Sequence, residues 1–213
     1  PWLFLVASLH SIILTQKNRQ YYKMSLILCV LSFVLILYST FLTRSGILGD
    51  SSVHSFTDLG LSGQLLIYLF TFIIISCYLF FIRWKNIPYS EKEAKVYNAD
   101  FWLYIGVFTL ILMSFQVIFP TSIPVYNAIV EFFGGFSNLA PPIEKEIFYS
   151  SAQIWFASSL AVLSSIAQVL WWRGHETNEK FTLFSKSLII TMILSAAIIL
   201  MYPINKPSYM VLI

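Results

Sequence analysis

The sequence has few charged residues for its length. Of its 213 residues, 11% are Asp, Glu, Lys or Arg, whereas 58% are hydrophobic. A soluble domain carries about 25% charged residues. This chain therefore has too little charge to cover a water-exposed surface, and its composition indicates a protein that spans a membrane several times.

Signatures of several catalytic and redox classes are also absent. The sequence contains no Walker motif, no GxGxxG before a strand, no HExxH, no CxxCH and no nucleophile elbow. Its two cysteines, Cys29 and Cys77, lie in apolar runs without a CxxC pair, which favours small buried hydrophobes over a redox centre. None of the ten acidic residues lies deep in an apolar run, so the carboxylate relay of many proton pumps is missing.

Apolar runs separated by polar loops predict an all-α polytopic membrane protein with about six transmembrane helices in a single domain over 1–213. The first run is shorter than the roughly 20 residues that a spanning helix needs. It also begins without Met or a basic segment, which predicts a piece of a longer protein. The predicted spans are Pro1–Thr15, Met24–Thr43, Gln64–Ile82, Phe101–Phe119, Ser151–Trp172 and Phe181–Tyr202.

The basic residues alternate between loops. Ten of the 13 Lys and Arg lie in or beside the loops after the first, third and fifth spans, which predicts that these loops are cytoplasmic. The polar loop Thr43–Gly63 is then external, which in a bacterium means periplasmic. The longer external loop Thr121–Ser150 includes Ile123–Phe133, which has the pattern of a short amphipathic helix in the membrane interface. This loop is either a plain connector with a helix cap or a lid or docking surface.

Two of the three histidines are candidate ligands. His10 lies about 10 Å into the membrane from the cytoplasmic edge, where an ionisable group is costly and a functional role is the first hypothesis. The alternative is a neutral histidine bonded to a neighbouring helix. His54, in the external loop, is flanked by Asp50 and Asp58. A carboxylate bonded to one ring nitrogen would leave the other free for a metal, whereas the alternative is a solvated loop histidine.

Two further basic residues, Arg44 and His175, lie outside the apolar runs. Arg44 at the outer end of the second span either recognises a carboxylate or snorkels to the interface. His175 lies in a predicted cytoplasmic loop and is expected to be solvent-exposed.

The segments PWLFLVASLHS and TFLTRSGILGDSSVHSF resemble the CcmF family of cytochrome c heme lyases, within the wider CcmF/CcsA group. The resemblance implies that His10 ligates the iron of a resident heme b and that His54 ligates the iron of the substrate heme. Arg44 belongs to the Arg-Ser-Gly motif that precedes His54. The family's tryptophan-rich WWD motif and remaining ligands would lie before residue 1 and after residue 213.

The resemblance also implies a function. The protein would bind heme in a bacterial inner membrane and assist its covalent attachment to the CxxCH motif of apocytochrome c. Its partners would be apocytochrome c, a heme chaperone, other maturation proteins and membrane lipid, with no nucleic acid. Such a lyase needs no nucleophile of its own, because it acts by positioning. The alternatives are a transporter of heme or another small molecule, and a structural membrane subunit.

Overall fold

The computed structural model describes residues 1–49, 60–89, 99–137, 139–171 and 177–201. Regular structure within these ranges is helical, and they contain no strand, which confirms the all-α prediction. Short 3-10 turns at Arg19–Tyr21 and Trp84–Asn86 follow α1 and α3. The helices are α1 (Trp2–Lys17), α2 (Tyr22–Arg44), α3 (Ser62–Arg83), α4 (Ala99–Thr121), α5 (Ile123–Phe132), α6 (Lys145–Trp171) and α7 (Thr177–Met201).

Four of these helices, α2, α3, α4 and α6, are long and apolar enough to cross a membrane. The chain is therefore a multi-pass membrane protein. The apolar parts of α1 and α7, Trp2–Gln16 and Thr182–Ile198, are shorter than the four spans. Whether they complete a set of six spans stays a prediction.

The outward face of the helices is apolar, as a lipid-facing surface requires. Within α3, which is described along its whole length, Leu69 alone is buried and Phe81 is 88% exposed. Several buried polar residues are instead small serines. Small residues at helix contacts let backbones approach closely in lipid, where apolar burial between helices gains little.

Two helix boundaries differ from the predictions. Pro120 was expected to stop the fourth span, but α4 includes it and ends at Thr121. Proline removes only one backbone donor, and the amide of Ser122 still bonds to the carbonyl of Ile118 at 3.0 Å. The fifth span was expected from Ser151, whereas α6 begins at Lys145. The first turn of α6 is helical but polar, so a prediction based on the apolar run begins after it.

The residues divide into two units. One contains α1 to α3, α4 from Ile111 onward, and α5; the other contains α4 up to Leu110, with α6 and α7. His10 and Arg44 both belong to the first unit. The expectation of a single domain over 1–213 stays a prediction.

One stripe of α1 forms much of the interior of the first unit. Its buried residues recur every three or four positions, as one face of a helix requires. Phe4 meets Phe115 of α4 edge to face, with ring centroids 5.8 Å apart. The buried residues of α1 are Phe4, Ala7, Ser8, Ser11 and Leu14.

Two contacts join helix ends that the charge map placed on the same side of the membrane. At the predicted cytoplasmic side, the Lys23 ammonium lies 4.5 Å from the Trp84 ring centroid and 5.3 Å from that of Tyr89. At the other side, the Tyr38 hydroxyl donates to the Ser122 hydroxyl at 2.7 Å. The start of α2 thus lies beside the end of α3, and the later part of α2 beside the end of α4.

Candidate functional site

His10 is held by its own helix. Its ring nitrogen Nδ1 lies 2.8 Å from the carbonyl oxygen of Val6, one turn earlier in α1, and the side chain is half-buried. A carbonyl oxygen can only accept, so Nδ1 must carry the proton in this contact. In the neutral imidazole, Nε2 then has the lone pair. The contact fixes the tautomer that leaves Nε2 available to a metal ion.

The position of His10 on α1 places its ring at the edge of the buried face of that helix. The buried residues Ala7, Ser11 and Leu14 occupy one face of α1, whereas Leu9 and Ile13 on the other side are exposed. His10 lies between these two faces. A half-buried ring at such an edge can reach a flat ligand held against the helix surface.

Ser11, the next residue, has a buried hydroxyl without a partner. The side chain is fully buried, and its Oγ makes no hydrogen bond within the described part of the chain. Ser8, one turn earlier, is equally buried, but its Oγ donates to the carbonyl of Leu5 at 2.8 Å. The two serines therefore form a matched pair: the Ser8 hydroxyl has a hydrogen-bond partner, and the Ser11 hydroxyl has none within the described part of the chain.

We expect Ser11→Ala to raise the free energy of unfolding of the purified protein by about 1 kcal/mol. The substitution removes a buried polar group that has no hydrogen-bond partner among the described residues. Ser8→Ala should give no comparable gain, because it also removes a hydrogen bond. Thermal unfolding of the two variants in the same detergent checks this. A Ser11→Ala variant less stable than Ser8→Ala would show that the Ser11 hydroxyl has a partner after all.

Arg44 and the residues after it form a defined turn. Arg44 is the last residue of α2 and is exposed, and its positive charge is favourable at a helix C-terminus. The amide of Ser45 bonds to the carbonyl of Phe41 at 2.9 Å, and Ser45 is buried. Gly46 has φ +72°, which L side chains rarely adopt. The Arg-Ser-Gly motif thus ends α2 and turns the chain into the loop that contains His54.

The candidates His10 and Arg44 lie at different levels of the helix pair. α1 and α2 pack against each other and are joined by one short turn, so they run antiparallel. His10 is seven residues from the end of α1, and Arg44 is 22 residues from the start of α2. At 1.5 Å per residue they are separated by roughly 22 Å along the helix axes. The two residues are therefore too far apart to contribute to one compact site.

Other candidates lie outside the described residues. His54, its neighbours Asp50 and Asp58, and His175 all fall in this category. Among the residues that are described, no three His, Cys, Asp or Glu side chains form a group that could hold a metal ion. Cys29 is half-buried and Cys77 is exposed, both as free thiols, so the expectation that both are buried is wrong for Cys77.

The sequence did not indicate the Tyr38–Ser122 hydrogen bond, which joins residues 84 positions apart. Both side chains had only a weak local signal, because each lies among other hydroxyl residues in or beside an apolar run, namely Ser39, Thr40 and Thr121. Neither signal identifies the partner, because the pairing depends on how α2 and α4 pack.

Comparison with known proteins finds relatives that are similar over most of this chain. Cytochrome c-type biogenesis protein CcmF of Escherichia coli is 23% identical over 195 residues, which is 92% of this chain. CcmF of Haemophilus influenzae is 29% identical over 174 residues, or 81% of the chain. Cytochrome c-type biogenesis protein ccl1 of Rhodobacter capsulatus is 23% identical over 205 residues, or 93% of the chain. The chain is thus similar to cytochrome c-type biogenesis proteins of the CcmF type over most of its length.

The match covers most of this chain but only part of each CcmF relative. The chain spans 29% of the length of the E. coli and R. capsulatus proteins and 25% of the H. influenzae CcmF. No family model matches the chain, and no solved structure matches it.

Proposed function

We propose that the protein acts in cytochrome c biogenesis, binding heme within and beside the membrane and assisting its covalent attachment to the CxxCH motif of apocytochrome c. The observation that carries this proposal is the hydrogen bond from His10 Nδ1 to the Val6 carbonyl, which leaves Nε2 as a ligand in an apolar helix. The similarity to CcmF proteins supplies the biological setting, since these relatives are named as cytochrome c-type biogenesis proteins.

His10 would hold the iron of a resident heme b. Its ring is half-buried at the edge of an apolar helix, and its tautomer is fixed by the backbone. A heme bound there would supply an electron that keeps the substrate iron ferrous. The role of α1 is to hold the imidazole in a fixed orientation, because a ligand that need not reorient loses less entropy on binding.

His54 would hold the iron of the substrate heme on the external side. Arg44 precedes it by ten residues, and an arginine is suited to a carboxylate such as a heme propionate because its guanidinium offers paired donors. The roughly 22 Å between the levels of His10 and Arg44 supports two heme sites rather than one. The exposed position of Arg44 at the end of α2 supports its access to a ligand from that side.

The reaction needs no nucleophile from this chain. The bonds that form join the heme vinyl groups to the cysteine thiols of the apocytochrome, so the protein has to hold the heme and bring the CxxCH alongside. Catalysis of this kind depends on proximity and orientation. The chain would therefore be the membrane subunit of a cytochrome c heme lyase.

The partners and location follow from this assignment. Apocytochrome c, a heme chaperone and other cytochrome c maturation proteins would meet the protein at the bacterial inner membrane. The His54 loop would face the periplasm, which the distribution of Lys and Arg supports. The contact of Lys23 with Trp84 agrees with that map, because it joins two ends predicted on the cytoplasmic side.

A deletion of the gene tests the proposed pathway. We expect every c-type cytochrome to lose covalent heme in heme-stained denaturing gels, while b-type cytochromes, which need no thioether bond, are retained. Expression of the intact protein from a plasmid should restore the stained bands. Unchanged c-type cytochromes in the deletion strain would refute a role in cytochrome c biogenesis.

A further inference from the structure

The segment after α4 exposes a cluster of aromatic side chains. Phe132 and Phe136 are 85% exposed and Phe133 is 80% exposed, although the segment lies outside the four long apolar helices. Tyr126 and Ile129, on the same side of α5 as Phe133, are exposed as well. We call these five residues the α5 aromatic surface. A water-facing loop does not normally expose so many large apolar side chains close together in sequence.

The Tyr38–Ser122 hydrogen bond fixes the depth at which this segment begins. Ser122 immediately precedes α5, and its hydroxyl is bonded to that of Tyr38 within α2. Tyr38 is six residues before the end of α2 at Arg44. At 1.5 Å per residue, α5 therefore begins about 9 Å inside the level of Arg44. If Arg44 lies at the headgroups, the start of α5 is at the boundary of the acyl chains.

Several polar groups of the segment are paired within it. After α5, the amide of Gly134 bonds to the carbonyl of Glu131 and the amide of Gly135 to that of Val130, both at 2.9 Å. A Cβ on Gly135 would lie 2.8 Å from Val130 Cγ1, so this close turn requires glycine. Backbone groups at membrane depth must be paired within the protein, because lipid offers no partner.

The side chain of Asn127 extends this pairing. Its Nδ2 donates to the carbonyl of Leu139 at 2.8 Å, and its Oδ1 accepts from the Ser137 hydroxyl at 2.7 Å. The residues after α5 are thereby folded back against the helix. A loop built to bind water would leave such groups open to solvent.

We propose that the α5 aromatic surface is embedded in the lipid leaflet on the Tyr38 side of the membrane, with α5 as an interfacial helix. The partner is the bilayer itself. Residues 121–143 contain no Lys or Arg and a single acid, Glu131, so attraction to charged headgroups has no part in the binding. The apolar surface alone provides it, at the depth of about 5–10 Å typical of interfacial helices.

A fluorophore at two neighbouring positions tests the proposal. Phe133→Cys and Glu131→Cys, made in a protein whose Cys29 and Cys77 are replaced by Ser, are labelled with NBD and reconstituted into phosphatidylcholine vesicles. Glu131 is the matched control, because it is exposed but lies on the opposite side of α5 from Phe133. Phe136→Cys is a second test position. Brominated phosphatidylcholine and aqueous iodide are the two quenchers.

We expect the label at 133 to lose fluorescence to lipids brominated near the headgroup end of the acyl chain and to resist iodide. The label at 131 should show the reverse. Iodide quenching at 133 and 136 as strong as at 131 would overturn the proposal and assign the surface to a protein partner instead. The measurement needs no heme, so its failure would leave the proposed function untouched.

Discussion

Under the proposed function, we expect replacing His10 with Ala to remove most of the b-type heme that the purified protein would hold. The expected loss of heme affinity is at least about tenfold, since even residues that only orient a metal ligand contribute 10–100-fold. The physical reason is the lone pair of Nε2, which the Nδ1 contact with the Val6 carbonyl directs away from the helix backbone. The ratio of Soret to protein absorbance after purification measures this loss.

Two control variants make the His10 result specific. Leu9→Ala removes an exposed neighbour on the same helix, and Ser11→Ala removes the buried hydroxyl beside it; both should retain heme. Exogenous imidazole should restore part of the heme to His10→Ala, because it replaces the lost ligand in the space the side chain leaves. If His10→Ala keeps its full heme content, the histidine is only a packed residue of α1.

His54→Ala is expected to reduce covalent heme attachment strongly while leaving the heme proposed at His10 in place. The substrate heme would lose an axial ligand, and at least about a tenfold fall in holocytochrome c follows from the usual contribution of residues around a metal. Heme-stained c-type cytochromes in a complemented deletion strain measure the first effect. The absorption spectrum of the purified variant measures the second.

The opposite pattern of losses separates the two histidines. His10→Ala should lose resident heme, whereas His54→Ala should lose the product and keep resident heme. Ser52→Ala, a hydroxyl two residues from His54, should support normal attachment because no nucleophile is needed. A Ser52→Ala variant as inactive as His54→Ala would indicate serine chemistry in the loop and contradict catalysis by positioning.

The helices themselves could be predicted from the sequence because their signal is local. Apolar runs of sufficient length mark α2, α3 and α4, each within a few residues of its observed ends. The exact ends of the helices were harder to predict. Pro120 continues α4 for one more residue, and the first turn of α6 from Lys145 is polar, so neither boundary coincides with a change in hydropathy.

The candidate site could be predicted only as residues, not as geometry. His10 stood out as an ionisable group in an apolar run, but the choice between ligand and packed residue depended on its side-chain conformation. The contact with Val6 joins positions four apart, which any helix allows and none requires. Similarly, Gly46 was part of a motif, whereas its positive φ shows that the motif also shapes the turn after α2.

No pattern in the sequence indicated that Tyr38 and Ser122 form a hydrogen bond. Tyrosine and serine are common near membrane boundaries, and a hydrogen bond between two helices depends on their packing. This contact nevertheless determines the depth at which α5 begins in the membrane. It therefore supports the proposal that the α5 aromatic surface is embedded in lipid.

We propose that this chain supplies iron ligands to two different hemes, through His10 and through His54. The decisive measurement is a pyridine hemochrome assay of the purified full-length protein, applied to the wild type, the two single variants and the double variant. We expect b-type heme in the wild type, a large loss in His10→Ala, and no bound heme in the double variant. Unchanged heme content in the double variant would refute the assignment of these two ligands.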